Sequence, residues 1–161
     1  MPGFDTLYKD TVTIFNRVRD AYGEDVLWYP TVIEGVHLII DKSSSWTSQG
    51  EKSSDNARLH IRYSAKGGKV LVGGKEWLEP KAWRRRLDRE AAITFNYGDA
   101  EDFDFFMEGR FDDYASPISD NNAAFERRGF YSYMNRHYDN VFAITSVSKF
   151  NLIRHFEIAG R

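Results

Sequence analysis

The chain has 161 residues, with 42% hydrophobic and 16% aromatic residues, a formal net charge of −2 and no cysteine. This length fits one domain spanning residues 1–161, and the composition supports a packed core, which excludes a disordered protein. The lack of cysteine excludes disulfides and thiolate metal sites, and the slight negative charge argues against nucleic-acid binding by bulk charge. We expect no signal peptide and no membrane contact, since no stretch approaches the roughly 20 apolar residues of a membrane-spanning helix. A soluble, cytoplasmic domain is therefore expected.

Alternating apolar residues in the first part of the chain predict antiparallel strands. Residues 11–17 are rich in β-branched side chains, and 28–33 follow as a second strand. Gly35 predicts a kink into the next strand, 36–40. In 57–63 every second residue is apolar, which favours a strand with one face in a core and one face outward.

A polar segment, residues 42–56, joins the last two of these strands. An ordinary hairpin turns within about 2–5 residues, so this loop is longer than the fold requires. It is rich in serine and contains one large apolar residue, Trp46, which is typical of a flexible arm that becomes ordered on a partner. A solvent-exposed loop with an incidental tryptophan is the alternative. We assign the partner contact to Ser43, Ser44, Ser45, Trp46, Gln49, Glu51 and Lys52.

Two short helices are predicted in the second half of the chain. A proline opens the first, near 80–90, and the four-residue spacing of Trp83 and Leu87 directs both side chains to the core. Asp120 is the predicted N-cap of the second helix, near 121–136.

The remaining elements are predicted strands, at 70–72, 75–78, 91–95, 103–108, 141–147 and 152–158. The first two flank a Gly-Gly pair that is typical of a tight hairpin turn. The pattern predicts a mainly β fold, a small β-barrel or sandwich of about 7–8 strands with a long inserted loop and two short helices.

Two segments of opposite charge predict docking surfaces. The basic residues Lys81, Arg84, Arg85, Arg86 and Arg89 lie on the first predicted helix, and the acidic residues are Asp99, Glu101, Asp102, Asp104, Asp112 and Asp113. Opposite charges on two surfaces of one chain favour a head-to-tail ring, whose interfaces are heterologous.

No catalytic or cofactor pattern stands out in the sequence. The carboxylates form no calcium-loop motif, and no glycine-rich phosphate loop is present. His37 and His60 fall on outward faces of strands that can pair, but zinc needs a third ligand and the spacing of the other histidines supplies none. We therefore predict structural histidines, no metal, no cofactor and no enzymatic activity.

The order of several blocks carries a family resemblance. The blocks are DTVTIFNR at 10–17, WYPTVIEGVH at 28–37, GKEWLEPKAW at 74–83, ITFNYGD at 93–99, AITSV at 143–147 and HFEIAGR at 155–161. Together they resemble the head-closure proteins of tailed bacteriophages, also called stoppers or head-to-tail connectors. None of the blocks is a catalytic signature, so the resemblance lies in their combination and order across nearly the whole chain.

The resemblance implies a β-barrel with a long inserted loop, assembled as a homo-oligomeric ring, a hexamer or a dodecamer, in the neck of the virion. Such a ring lies between the portal or its adaptor and a tail terminator or tail completion protein, and assembles in the host cytoplasm. It closes the DNA-filled head, and DNA passes through its lumen without sequence-specific contact. The C-terminal strand, including Arg154, His155, Phe156 and Arg161, is expected to be ordered.

Two alternatives stay open. One is a neighbouring role as a tail completion or tail terminator ring. The other, of a different class, is a carbohydrate-binding or hydrolytic β domain, which the aromatic residues and carboxylates would suit.

Overall fold

The structure is a computed structural model that describes residues 6–20, 22–42, 44–47, 50–53, 56–98 and 101–161, with 44–47 and 50–53 described by backbone only. Its strands are β1 (Asp10–Arg19), β2 (Val26–Asp41), β3 (Ser44–Thr47), β4 (Gly50–Ser53), β5 (Asn56–Arg62), β6 (Ser64–Lys66), β7 (Lys69–Val72), β8 (Lys75–Trp77), β9 (Ala92–Ile93), β10 (Phe105–Glu108), β11 (Ile118–Ser119), β12 (Val141–Phe150) and β13 (His155–Gly160). The largest sheet has the order β1-β10-β12-β13-β5-β2-β11, and β1 also pairs with β2. Six strands thus close into a barrel that β11 extends, which confirms the predicted mainly β fold.

The long strand β2 closes the barrel because it changes partner along its length. Its first part pairs with β1, and its last part, from His37 to Asp41, pairs with β5. Between the two parts lies Gly35, with a φ of 71°, where the register against β1 shifts. Glycine adopts this left-handed conformation without a steric penalty, so it forms the bulge that bends the strand. The predicted strands 28–33 and 36–40 are therefore one bent strand, and the predicted kink at Gly35 is confirmed.

Apolar side chains from all six strands fill the barrel interior. Ile14 of β1, Leu59 of β5, Phe106 of β10 and Phe156 of β13 are fully buried there. Successive strand residues point to opposite faces, so the two-residue period of the sequence places these side chains inside. Each such burial stabilises the fold by about 1.5–3 kcal/mol.

A second core lies outside the barrel wall, formed by the alternate residues of the same strands. Phe15 and Phe105 stack with their ring centroids 4.6 Å apart and pack under helix α2, Phe130–His137. Phe130 and Met134 of this helix are fully buried against them. From Val12 to Asn16 every residue of β1 is buried, so this part of the strand has no exposed face.

A separate sheet, β6-β7-β8-β9, lies next to helix α1, Pro80–Arg85. Gly73 and Gly74 form the tight turn between β7 and β8 with φ values of 57° and 81°, as predicted. Trp83 of α1 is fully buried. Among the helices in the described part of the chain, none is long and apolar enough to cross a membrane.

The predicted helix near 80–90 is shorter than expected. It ends at Arg85 because Arg86 is extended, with φ −74° and ψ 141°. Leu87 lies beyond the end of the helix, so its four-residue spacing from Trp83 does not direct its side chain to the core, and this side chain is fully exposed. The prediction for Trp83 is confirmed, whereas that for Leu87 is wrong.

The predicted helix near 121–136 begins later than expected. A 3₁₀ turn at Ala123–Phe125 ends where Glu126 and Arg127 adopt left-handed φ values of 53° and 64°, and α2 follows. The prediction that Asp120 is the N-cap is wrong, because Asn122 and Gly129 hold the N-cap positions of the two elements. The Asp120 carboxylate instead accepts the backbone N–H of Phe130, the first residue of α2, at 2.8 Å.

The segment 42–56 and the last strand also differ from the prediction. The described backbone within 42–56 forms the hairpin β3–β4 rather than an irregular loop. The last strand begins at His155, not at 152, because residues 151–154 form a turn in which Leu152 is fully exposed.

Candidate functional site

The predicted basic surface is largely paired within the subunit. Arg84 donates to the Asp102 carboxylate at 2.6 Å, and Arg86 contacts the carboxylates of Glu76 at 3.0 Å and Asp88 at 2.6 Å. These hydrogen bonds raise the pKa of Arg86. Arg89 instead donates to the backbone carbonyl of Arg84. Lys81 and Arg85 are the exposed members of the predicted set.

The predicted acidic surface divides into exposed and buried residues. Glu101, Asp112 and Asp113 are exposed, whereas Asp99 lies outside the described residues. Asp102 contacts Arg84 and also Arg17, at 3.3 Å, so the two charged segments meet inside one subunit.

Asp104 is fully buried and cannot belong to an exposed acidic surface, which corrects its assignment. Its carboxylate accepts hydrogen bonds from the Asn16 side chain at 2.8 Å and from the backbone N–H groups of Arg17 and Asn96, both at 2.9 Å. Burial raises the pKa of Asp104 to about 7, although these donors oppose the shift. Asp104, which lies just before β10, therefore ties β1 to the segment that follows β9.

The residues of the predicted partner-binding loop are only partly described. The backbone of Ser44, Ser45 and Trp46 lies in β3, and that of Glu51 and Lys52 lies in β4. Ser43 and Gln49 lie outside the described residues. This hairpin is a two-stranded sheet of its own, separate from the barrel.

The C-terminal strand is built into the barrel, as its sequence predicts. β13 pairs with β12 on one side and with β5 on the other, and Phe156 is fully buried. The backbone carbonyl of Arg154 accepts the N–H of Tyr63, and Arg161 exchanges two backbone hydrogen bonds with Ala143 at 2.9 and 3.0 Å.

The outer face of β2, β5 and β13 carries a row of imidazoles that sequence spacing does not reveal. His37 and His60 are cross-strand partners with ring centroids 5.7 Å apart, as predicted. His155 lies 6.0 Å from His60 on the other side. Glu157 pairs with His60 across β5 and β13, and the ligand atoms of His60, His155 and Glu157 all lie within 4.8 Å of one another.

His60, His155 and Glu157 together supply the three ligands that a zinc site needs. The sequence spacing did not reveal the third ligand, which is why structural histidines were predicted. The missing signal was strand pairing: His155 and Glu157 alternate outward on β13, as His60 does on β5, but only the antiparallel register brings them together. Two imidazoles and one carboxylate are a ligand set that zinc uses in proteins. We name this group the His60–His155–Glu157 cluster.

A cleft of about 660 Å³ lies between the barrel and α1. Trp77, Phe95 and Tyr97 line it together with Lys81 and other residues. The indole N–H of Trp77 is buried and has no hydrogen-bond partner among the described residues.

Comparison with known proteins places nearly the whole chain in one family. The profile of a family of unknown function, DUF6751, matches residues 7–161. The chain belongs to this family. No curated protein and no solved structure matches the chain significantly. Membership in DUF6751 carries no activity, substrate or partner with it.

Proposed function

We propose that the protein is a structural component of the tailed-phage neck, a head-closure subunit that assembles into a ring. The observation that carries the proposal is a closed six-stranded barrel whose strands β2 and β5 are joined by a separate hairpin, β3–β4. A barrel with a long inserted segment is the architecture that the block resemblance implies.

The hairpin supports assembly on energetic grounds. Each of the six barrel strands has a neighbour on both sides, so contact between subunits falls to the elements outside this ring of strands and to outward side chains. β3 and β4 have four residues each and pair with one another in a sheet of their own. An isolated two-stranded hairpin is at best marginally stable in water, so docking onto a neighbouring subunit or the next neck protein stabilises it.

An exposed apolar turn supports a second contact surface. Leu152 and Ile153, in the turn between β12 and β13, are 99% and 60% exposed, and Phe150 beside them is 42% exposed. Contiguous exposed apolar side chains favour burial against a partner. We assign this turn to the contact with a neck protein or a second copy of the chain.

Deleting the gene from the phage that encodes this chain tests the proposal. Heads should fill with DNA and then lose it, and intact tails should accumulate unattached, as seen by electron microscopy. Supplying the wild-type chain in trans should restore infectious particles. Sealed, DNA-filled heads beside aberrant tails would instead favour a tail completion or tail terminator role, and unaltered virions would overturn the proposal.

The apolar turn offers a sharper variant. Leu152→Ser with Ile153→Ser should leave the subunit folded, because both side chains are exposed, yet abolish complementation. Ala123→Ser with Ala124→Ser is the matched control, because these apolar side chains are also exposed but lie elsewhere. Full complementation by the turn variant would remove this surface from the proposed assembly.

A further inference from the structure

Three metal-binding side chains from two adjacent strands converge on the outer face of the barrel. We propose that the His60–His155–Glu157 cluster binds a divalent first-row transition metal, with Zn²⁺ as the ion best suited to it. This inference rests on the cluster alone and does not depend on the proposed neck function.

Two of the three ligand-atom separations match those around one ion, and all three lie within 4.8 Å. Glu157 Oε1 lies 3.3 Å from His155 Nε2 and 3.6 Å from His60 Nδ1. With metal–ligand bonds of about 2.0–2.2 Å, tetrahedral ligands lie about 3.3–3.6 Å apart. Both separations also lie within the range of a long hydrogen bond or an ion pair, so a measurement of Zn²⁺ binding, and not the distances, distinguishes the two arrangements.

A backbone carbonyl orients His155 for coordination. The Nδ1 atom lies 2.7 Å from the carbonyl oxygen of Ile153, which can only accept, so Nδ1–H is the donor. In the neutral ring the lone pair is then on Nε2, the atom that faces Glu157. Metal-binding histidines commonly donate their other ring N–H to such an acceptor, which fixes the tautomer and the ring orientation.

The donor set selects the ion. Two imidazole nitrogens and one carboxylate oxygen suit Zn²⁺ and its first-row neighbours, whereas Mg²⁺ and Ca²⁺ prefer oxygen ligands. Three protein ligands leave a fourth position for water. Because His60 belongs to β5 and His155 and Glu157 to β13, the ion would cross-link two neighbouring strands of the closed barrel.

Titration of the untagged, full-length protein with ZnCl₂ by isothermal calorimetry tests the proposal. Wild type should bind one Zn²⁺ per chain and gain melting temperature, and Co²⁺ should give visible absorption bands of a low-coordinate site. His60→Ala, His155→Ala and Glu157→Gln should each weaken Zn²⁺ binding about tenfold or more. His137→Ala is the matched control, an exposed histidine on α2, and should bind like wild type.

All three cluster variants are expected to fold, so a loss of Zn²⁺ binding reports on the site and not on folding. The side chains of His60, His155 and Glu157 are 22%, 16% and 47% exposed, and Glu157→Gln keeps the shape of the residue. Circular dichroism in EDTA should show all variants folded. Zn²⁺ binding that is absent in wild type, or equal in wild type and all three cluster variants, would overturn the proposal and leave the cluster as a set of ion pairs.

Discussion

Asp104→Asn should change how the free energy of unfolding depends on pH, because it removes a buried carboxyl whose pKa is about 7. In the unfolded chain this carboxyl titrates near its ordinary value of 3.8. Between these two values the folded state binds a proton that the unfolded state has released. The contribution to stability is therefore fully present below about pH 4 and is lost as pH rises to about 7.

The size of the effect follows from the shift. One pKa unit corresponds to about 1.36 kcal/mol, so the whole shift is worth about 4 kcal/mol, of which wild type should lose about 3 kcal/mol relative to the Asp104→Asn variant between pH 4 and pH 7. Urea unfolding at half-unit pH intervals measures both profiles. Asp112→Asn, which replaces an exposed carboxylate and leaves Asp104 in place, should keep the wild-type slope. Parallel profiles for wild type and Asp104→Asn would refute the reasoning and show that the three N–H donors offset the effect of burial.

Four further outcomes are expected. Deleting residues 152–161 should unfold the domain, since β13 pairs on both sides; a soluble truncated form with an unchanged melting temperature would contradict this. Gly160→Ala should lower the melting temperature, because an added Cβ would lie 2.8 Å from side-chain atoms of Phe106 and Phe142; an unchanged value in a thermal melt would show that the wall yields there. Trp46→Ala, whose side chain lies outside the described residues, should leave the melting temperature unchanged but reduce DNA retention in virions; full heads with normal tails would make the segment a plain loop. Assays on nucleic acid and glycan substrates should detect no metal-dependent hydrolysis, and activity abolished by one carboxylate substitution would contradict this.

Local patterns in the sequence were sufficient to predict most strands of the barrel. The two-residue period of β5 and β13 reports which side chains face inward, because period and burial are coupled within one strand. Gly35 and the Gly73–Gly74 pair also indicate their turns, since few other residues adopt a positive φ at low cost. These features depend on neighbours in sequence.

Features that depend on distant partners could not be predicted in the same way. Asp104 lies in an acidic run that is typical of a solvated surface, and its burial depends on donors 8 to 88 residues away. The His60–His155–Glu157 cluster needs the register between β5 and β13, which no spacing along the chain encodes. The prediction that Leu87 is buried failed for a local reason. The spacing of Leu87 from Trp83 is that of one helix face, but the helix ends at Arg85, before Leu87.

Electron cryomicroscopy of the virion neck tests the central claim most directly. If the protein is a head-closure subunit, the map should show a ring of closed six-stranded barrels between the portal side and the tail, with β3–β4 contacting a neighbouring chain. A neck density that other chains fill completely, with no place for this barrel, would contradict it.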